Sequence, residues 1–441
     1  MKRARILLAV LVCGSACSVA QTASSEPSTS GWANLPPAAR ASISSALARD
    51  PAIRIAQLTA SDGEEFDTLG WNVAISGNTV AVGAPGATIG ANSAQGAVYI
   101  FVKPASGWAN MTQTAKLTAS DGQADSLLGR GIAISGNTVV AGAPGQFGNQ
   151  FGEAYVFLKP ASGWTNMNET ARLTPSDAVP GDTFGYSVGI SGNTVVVGAL
   201  GALNLQGAAY VFVKPAGGWI DMTQTGELTA SDGASGDEFA STVAISGNTI
   251  VGGSFLDNGA VGAAYVFAKP ANGWANGTQT AKLTPSDGKT DALGLSVAIS
   301  GNTVVAGAFG WPGNESFQGA AYVFVEPSGG WANMTQTAIL TASDGAAQDQ
   351  LGYSVAISGS IIAVGAEGWP DGGNEGAIYA YVKPTTGWSN KTETVKLTVS
   401  GGAQELGYAA ALSGTTGVGG APNAAVNSHQ DQGIAYVFTE Q

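Results

Sequence analysis

Pairs of carboxylates recur along this sequence, and paired carboxylates can bind cations or carry acid–base chemistry. Each pair stands between an alternating apolar run and a glycine-containing motif, so the pairs belong to equivalent loops. One interpretation is an acidic ring that binds cations such as calcium. The other is that each aspartate accepts hydrogen bonds from nearby backbone amides and shapes its turn, and the regular recurrence favours this interpretation. The residues are Asp62 and Asp67, Asp121 and Asp125, Asp177 and Asp182, Asp232 and Asp237, Asp287 and Asp291, and Asp344 and Asp349.

Histidine and cysteine offer little further chemistry. The one histidine is His429, and the only cysteines are Cys13 and Cys17. Zinc sites of the usual His/Cys kind are therefore excluded. A Ser-His-Asp triad could form only around His429, which we interpret as a surface-loop residue. Carboxylate-based catalysis is the enzymatic alternative that stays open.

Two similar inserts, at 310–315 and 368–375, combine a tryptophan with polar residues. A flat apolar ring flanked by amide and carboxylate groups suits the recognition of a sugar or a peptide. The alternative is that both rings pack on adjacent loops, as large apolar rings usually do. The candidate ligand-binding residues are Trp311, Asn314, Glu315, Trp369, Asp371, Asn374 and Glu375.

The loops that carry these residues belong to a repeat. The tetrapeptide Ser-Gly-Asn-Thr starts at residues 76, 135, 191, 246 and 300, and weaker forms start at 358 and 413. Successive starts are 54 to 59 residues apart, and self-similarity at such a period is the signature of a repeat architecture. Each repeat contains an alternating strand, a two-residue Gly-Asn turn, a second strand, a continuously apolar third strand and an alternating outer strand. This pattern predicts four-stranded antiparallel blades of a β-propeller.

The strand count predicts seven blades in a closed ring. Seven first strands are followed by only six outer strands, and the missing outer strand stands ahead of the first repeat at 53–61. An N-terminal strand that completes the last blade would remove an unpaired edge. An open solenoid, the alternative, would leave both ends uncapped.

The residues before the repeats suggest export. Residues 1–20 combine a basic start, an apolar run and a small-residue cleavage site, which predicts a signal peptide and a secreted or cell-surface protein. Lipid attachment through Cys17 is the minority alternative. Residues 21–52 read as a Ser/Pro-rich linker with a possible short helix over 37–50.

Charge and hydropathy restrict the partners. The formal net charge is -13, which disfavours nucleic acid and anionic membrane surfaces. The leader's apolar run is too short to span a bilayer, so no transmembrane segment is expected. We expect a monomer that binds a protein or glycan ligand and requires no cofactor.

The repeat motifs resemble a known family. The pattern F/L-G-x-S/N-V-A-I-S, then V-G-A-P and G-A-x-Y-V-F, looks like FG-GAP repeats, the units of the integrin α-subunit propeller, over residues 53–441. Examples are `TFGYSV` (183–188), `AGAPG` (141–145) and `GAAYVF` (207–212), whereas the fourth repeat departs at Phe239-Ala240 and at 251–254. The resemblance implies a seven-bladed propeller that works by binding, often in adhesion. Integrin-like propellers hold calcium between the first two strands of some blades, but the Ser-Gly-Asn-Thr loop is too short for such a site.

We therefore expect an exported, non-enzymatic propeller that recognises a protein or glycan through loops on one face. The alternative is a polysaccharide-active enzyme that uses loop carboxylates.

Overall fold

The computed structural model describes residues 53–145, 151–289, 291–311, 316–368, 375–399 and 405–440. The chain divides into two compact units, Met1–Arg54 with Glu440–Gln441, and Ile55–Thr439. Apart from residues 53, 54 and 440, the first unit lies outside the described residues, and so do the predicted signal peptide, linker and helix. Within the described part, no helix is long and apolar enough to cross a membrane.

The second unit is an all-β, seven-bladed propeller, as the repeats predict. In each blade the first, second, third and outer strands pair in that order. The first strands of adjacent blades contact each other all the way round, and so surround the ring axis. The first strands are Val73–Ser76, Gly131–Ser135, Ser187–Ser191, Thr242–Ser246, Val297–Ser300, Leu351–Ser358 and Ala409–Ser413. The second strands are Thr79–Ala84, Thr138–Ala143, Thr194–Ala199, Thr249–Ser254, Thr303–Ala308, Ile361–Ala366 and Thr416–Ala421.

The remaining strands lie progressively farther from the axis. The third strands are Ala97–Val102, Glu153–Leu158, Ala208–Val213, Ala263–Ala268, Ala320–Val325, Ala377–Val382 and Ile434–Glu440. The outer strands of blades 1 to 6 are Ala115–Leu117, Ala171–Thr174, Gly226–Thr229, Ala281–Thr284, Ala338–Thr341 and Val395–Leu397. Two single helical turns, Ala202–Leu205 and Asp257–Ala260, lie between second and third strands and contain residues with left-handed φ.

Blade 7 is assembled from both ends of the described chain. Its outer strand is Ile53–Thr59, which pairs with Ile434–Glu440. Leu58 and Ala56 of this strand are buried in the core shared with blade 1. The predicted closure by an N-terminal strand is therefore confirmed.

Most outer strands have a further neighbour that the repeat pattern did not reveal. A two-residue strand from the following blade pairs with them in parallel, as Leu58 does with Met111. The outer edge of these blades is therefore covered. These short strands are Met111–Thr112, Met222–Thr223, Gly277–Thr278, Met334–Thr335 and Lys391–Thr392.

The Ser-Gly-Asn-Thr turns link the blades at one end of the ring. The serine hydroxyl of each turn accepts a hydrogen bond from the glycine N–H of the next blade's turn, which explains why both residues recur. Gly136 donates to Ser76 at 3.1 Å, and Gly77 donates to Ser413 of blade 7 at 3.2 Å. The other bonds run from Gly192 to Ser135, Gly247 to Ser191, Gly301 to Ser246, Gly359 to Ser300 and Gly414 to Ser358.

Candidate functional site

A cavity of about 370 Å³ lies on the ring axis and is lined by residues from all seven blades. It opens at the end of the first strands that is opposite the Ser-Gly-Asn-Thr turns. Its rim is formed by the variable residue of the F/L-G-x-S/N motif, because this residue stands at or just before the start of each first strand. The seven rim residues are Trp71, Arg130, Tyr186, Ser241, Leu295, Tyr353 and Tyr408.

Five of the rim residues form a continuous arc over blades 6, 7, 1, 2 and 3. The ring centroids of Tyr353 and Tyr408 are 5.1 Å apart, and those of Tyr408 and Trp71 are 4.9 Å apart. Both separations are those of interacting aromatic pairs. The arc therefore presents a nearly continuous aromatic surface to the cavity.

Arg130 completes the arc between two rings. Its guanidinium carbon lies 4.5 Å from the ring centroids of both Trp71 and Tyr186, which is cation–π geometry. Its Nη2 also donates a hydrogen bond to the hydroxyl of Tyr186 at 2.6 Å. The positive charge is thus held in a fixed place beside the cavity.

The opposite side of the cavity, on blades 4 and 5, has no aromatic rim residue. Ser241 and Leu295 stand there, and Leu200 and Phe255 also line the cavity. Ser241 is only 9% exposed, and its hydroxyl has no hydrogen-bond partner among the described residues. Glu238 also lines this side, and burial raises the pKa of its carboxyl. Glu238 and Ser241 therefore place polar residues on the side of the cavity opposite the aromatic arc.

Glu367 adds a second perturbed carboxyl near the arc. Burial, together with the negative charge of Glu405, raises the pKa of Glu367 to about 8. Burial and the charge of Glu367 in turn raise the pKa of Tyr353 to about 12. At neutral pH the Glu367 side chain is therefore largely protonated and Tyr353 keeps its hydroxyl hydrogen.

The raised pKa of Glu367 predicts a loss of stability with rising pH. The folded chain keeps a proton up to about pH 8 that the unfolded chain releases near its ordinary value of 4.5. This group should therefore lower the free energy of unfolding by up to about 1.4 kcal/mol per pH unit between these values. We expect Glu367→Gln to remove this part of the slope, as measured by urea unfolding at pH 5, 6.5 and 8. Glu375→Gln, at an exposed position, is the control, and equal slopes in Glu367→Gln and the parent protein would contradict the prediction.

The first aspartate of most predicted pairs lies away from this cavity and joins adjacent blades. Asp232 accepts hydrogen bonds from Lys282 Nζ at 2.7 Å and from the Tyr265 hydroxyl at 3.1 Å, both in the next blade. Burial raises the pKa of Asp232, but these hydrogen bonds and the lysine charge hold it below its ordinary value overall. Equivalent ion pairs join Asp62 to Lys116, Asp121 to Arg172 and Asp344 to Lys396.

The second aspartate mostly shapes its own loop. Asp67 Oδ2 accepts the backbone N–H of Glu64 at 2.9 Å, and Asp182, Asp237 and Asp349 accept the equivalent N–H groups. In the second repeat this position is held by Ser126, whose hydroxyl accepts the N–H of Gln123, so Asp125 lies one residue out of register.

The fifth repeat differs from this scheme. Asp291 is fully buried, and its Oδ2 accepts the Tyr322 hydroxyl at 2.9 Å. Asp287 lies 3.8 Å from Lys289 Nζ in the same loop. Across the described residues, no group of three or more His, Cys, Asp or Glu side chains is placed to hold a metal ion. Calcium binding by the loops stays a prediction.

The residues of the two tryptophan inserts are only partly described. Trp311 is half-buried and packs against the core of blade 5, and Glu375 is exposed. Asn314, Glu315, Trp369, Asp371 and Asn374 lie outside the described residues. His429 lies in a loop with its Nδ1 3.2 Å from the carbonyl oxygen of Gly63.

Sequence reasoning missed the rim of the cavity. The signal was present as the one variable position inside the F/L-G-x-S/N motif, where large aromatic residues and an arginine replace each other. In a closed ring, equivalent positions of the inner strands converge on the axis, so the variable residues of all seven repeats come together around one cavity.

Comparison with known proteins agrees with this architecture. No curated protein sequence matches the chain significantly. The solved WD40 β-propeller domain of Doa1 is similar in fold, with a TM-score of 0.51 and 9% sequence identity over 88% of this chain and 98% of that one. A family model described as the FG-GAP repeat matches residues 53–101, 111–157, 167–212, 222–267, 278–324 and 334–381. These segments make up more than half of the sequence, and the chain therefore belongs to the FG-GAP repeat family.

Proposed function

We propose that this propeller is a non-enzymatic binding module and that its ligand is a glycan held at the mouth of the central cavity. The observation that carries the proposal is the aromatic arc, in which Tyr353, Tyr408 and Trp71 stand side by side. The cavity volume of about 370 Å³ lies in the ordinary range for small-ligand sites.

The distribution of polar groups favours a sugar. A pyranose ring has apolar faces that stack on flat aromatic side chains and a polar edge that needs hydrogen bonds. Glu238 and Ser241 line the side of the cavity opposite the arc, and Arg130 stands within the arc, so polar residues lie on both sides of the stacking surface. A cationic ligand is less suitable, because Arg130 already places a positive charge between two of the rings.

The loop carboxylates support binding rather than catalysis. Asp62, Asp121, Asp232 and Asp344 each have a lysine or arginine as an ion-pair partner. Carboxylates used in this way join blades, and they are not the free pair that glycoside hydrolysis requires. A polysaccharide-active enzyme stays the alternative.

A glycan array followed by calorimetry on the best glycan tests the proposal. We expect Trp71→Ala and Tyr408→Ala each to weaken binding by roughly 30-fold or more, because truncated aromatic anchors commonly cost 2 kcal/mol or more. Ile220→Ala is the matched control, since Ile220 is exposed beside Trp219 near the opposite end of the ring. Melting curves should confirm that the variants remain folded.

Three outcomes would contradict the proposal. Unchanged affinity in both aromatic variants would remove the cavity from the site. Binding to proteins and to no glycan would replace the ligand class, and steady release of products from a polysaccharide would make the protein an enzyme.

The loop residues and the leader belong to the same proposal. Trp311, Asn314 and Glu315, with Trp369, Asp371, Asn374 and Glu375, would extend the site beyond the cavity, and Trp311→Ala in the same assay tests this. Export through residues 1–20 would bring the site to an extracellular glycan, either as a secreted protein or as one anchored through Cys17.

A further inference from the structure

Six blades share a device that covers the outer strand of the blade before. A Gly-Trp-x-Asn segment, with Asp221 in place of asparagine in blade 3, precedes the outer strand of each, and we call this segment the latch. The latch side chain accepts the backbone N–H of an outer-strand residue, for example Gln57 to Asn110 at 2.9 Å. The same bond joins Lys116 to Asn166, Arg172 to Asp221, Glu227 to Asn276, Lys282 to Asn333 and Ile339 to Asn390.

The tryptophan of each latch is buried between two blades. Trp164 packs with Ala115 and Leu117 of the outer strand before it and with Phe157 of its own blade. All six rings are 6–8% exposed. The latch tryptophans are Trp108, Trp164, Trp219, Trp274, Trp331 and Trp388.

The outer strand of blade 6 differs from the others among the described residues. Val395 is 38% exposed, whereas the equivalent Ala115 and Ala281 are 1% and 0% exposed. Leu397 is half-buried, although the leucines at its position in the other blades are buried. The cluster that contains Leu397 and Phe438 is also the one of seven that includes no described tryptophan.

The sequence carries a seventh copy of the latch. Residues 30–35 read Ser-Gly-Trp-Ala-Asn-Leu, and residues 106–111 of blade 1 read Ser-Gly-Trp-Ala-Asn-Met. In each of the six blades that have a described latch, the latch precedes that blade's own outer strand in the sequence. Blade 7 has Ile53–Thr59 as its outer strand, and residues 30–35 precede it. Residues 36–52 are long enough to connect the two in any arrangement.

We propose that residues 30–35 are the latch of blade 7 and cover the outer strand of blade 6. In the blade 1 latch, Met111 pairs with Leu58 and the Asn110 side chain accepts the N–H of Gln57. By the same register, Leu35 would pair with Leu397, and the Asn34 carboxamide would accept the backbone N–H of Lys396. Trp32 then fills the place beside Phe438 and Leu397 that latch tryptophans fill elsewhere. On this proposal, residues 30–35 of the predicted linker belong to the outer edge of the ring.

Thermal melting and hydrogen exchange of the chain from residue 21 onward test this proposal. We expect Trp32→Ala to lower the melting temperature about as much as Trp388→Ala, which removes a described latch. Amide protection at 395–399 should fall in Trp32→Ala and stay unchanged in Trp388→Ala. Asn34→Ala should weaken the same protection, and Asn34→Asp should retain it, because Asp221 serves as the acceptor in blade 3. Leu47→Ala, in the predicted helix between latch and strand, is the control.

Parent-like melting and unchanged protection at 395–399 in Trp32→Ala would overturn the proposal. Loss of protection elsewhere but not at these residues would overturn it as well. If the protection at 395–399 depends on protein concentration and sedimentation shows a dimer, the latch comes from a second copy, and the assignment to the same chain is wrong.

Discussion

Deleting residues 53–60 should prevent the ring from closing and leave the third strand of blade 7 without its neighbour. The deletion removes Leu58 and Ala56, which are 0% and 2% exposed, and uncovers apolar surface of both adjoining blades. Leu58→Ala alone should lower the free energy of unfolding by roughly 2–5 kcal/mol, the usual cost of truncating a buried leucine. Chemical denaturation of both variants measures the effect.

The same strand supplies a matched control. Ile55 is 46% exposed, so Ile55→Ala should change the free energy of unfolding by less than about 0.5 kcal/mol. If the deletion variant melts within a degree or two of the parent protein, the N-terminal strand does not close the ring.

Gly142→Ala should strongly destabilise the folded protein, although it adds only one methyl group. A Cβ at this position would lie 1.8 Å from the carbonyl oxygen of Gly185 in the next blade, so blades 2 and 3 must separate to admit it. The Cβ is fixed by the backbone of residue 142 and the oxygen belongs to the backbone of Gly185, so no side-chain rotation can relieve the overlap. We expect a loss of about 3 kcal/mol or more, at or beyond the upper end for overpacked sites. Thermal and urea unfolding measure it.

Gly217→Ala is the control for this substitution. A Cβ there meets no atom within 4 Å, and its φ is not left-handed. The variant should match the parent or gain up to about 1 kcal/mol from the stiffer unfolded chain. Equal behaviour of Gly142→Ala and Gly217→Ala would show that the blade contact is loose.

The fold could be predicted from the sequence because repeats with a fixed strand pattern allow few architectures. The repeat period predicted the number of blades, and the additional strand at 53–61 predicted that the ring is closed by an N-terminal strand. The reason for individual repeated residues could not be predicted in the same way. Ser76 recurs because its hydroxyl oxygen accepts a hydrogen bond from the backbone N–H of Gly136, a partner 60 positions away in another blade. A contact between repeats is not visible in the pattern of one repeat.

The positions of the acidic loops could be predicted from the sequence, but the residues that their aspartates contact could not. Sequence spacing paired Asp121 with Asp125, whereas the structure uses Ser126 as the turn-forming residue of that loop. The tyrosine and the lysine that hold Asp232 are on the third and outer strands of the next blade, 33 and 50 positions away respectively. Loop length varies between the repeats, so counting residues cannot establish either relation.

The fourth repeat shows that geometry can persist where the motif changes. Ala240 replaces the glycine of the F/L-G motif, yet it adopts a left-handed φ of 63°. A residue with a Cβ is strained in that region, so contacts with the neighbouring blades must hold it there.

The circle of serine–glycine hydrogen bonds leaves the propeller without a terminal repeat. In an open array the end unit touches one neighbour, so it frays first and offers an entry point for proteases. Here every blade is hydrogen-bonded to both neighbours, and no blade can detach unless its contacts with both neighbours break together. Unfolding should therefore be cooperative and not start by fraying at one end. Resistance to proteolysis then depends on blade 7, whose strands come from distant parts of the chain.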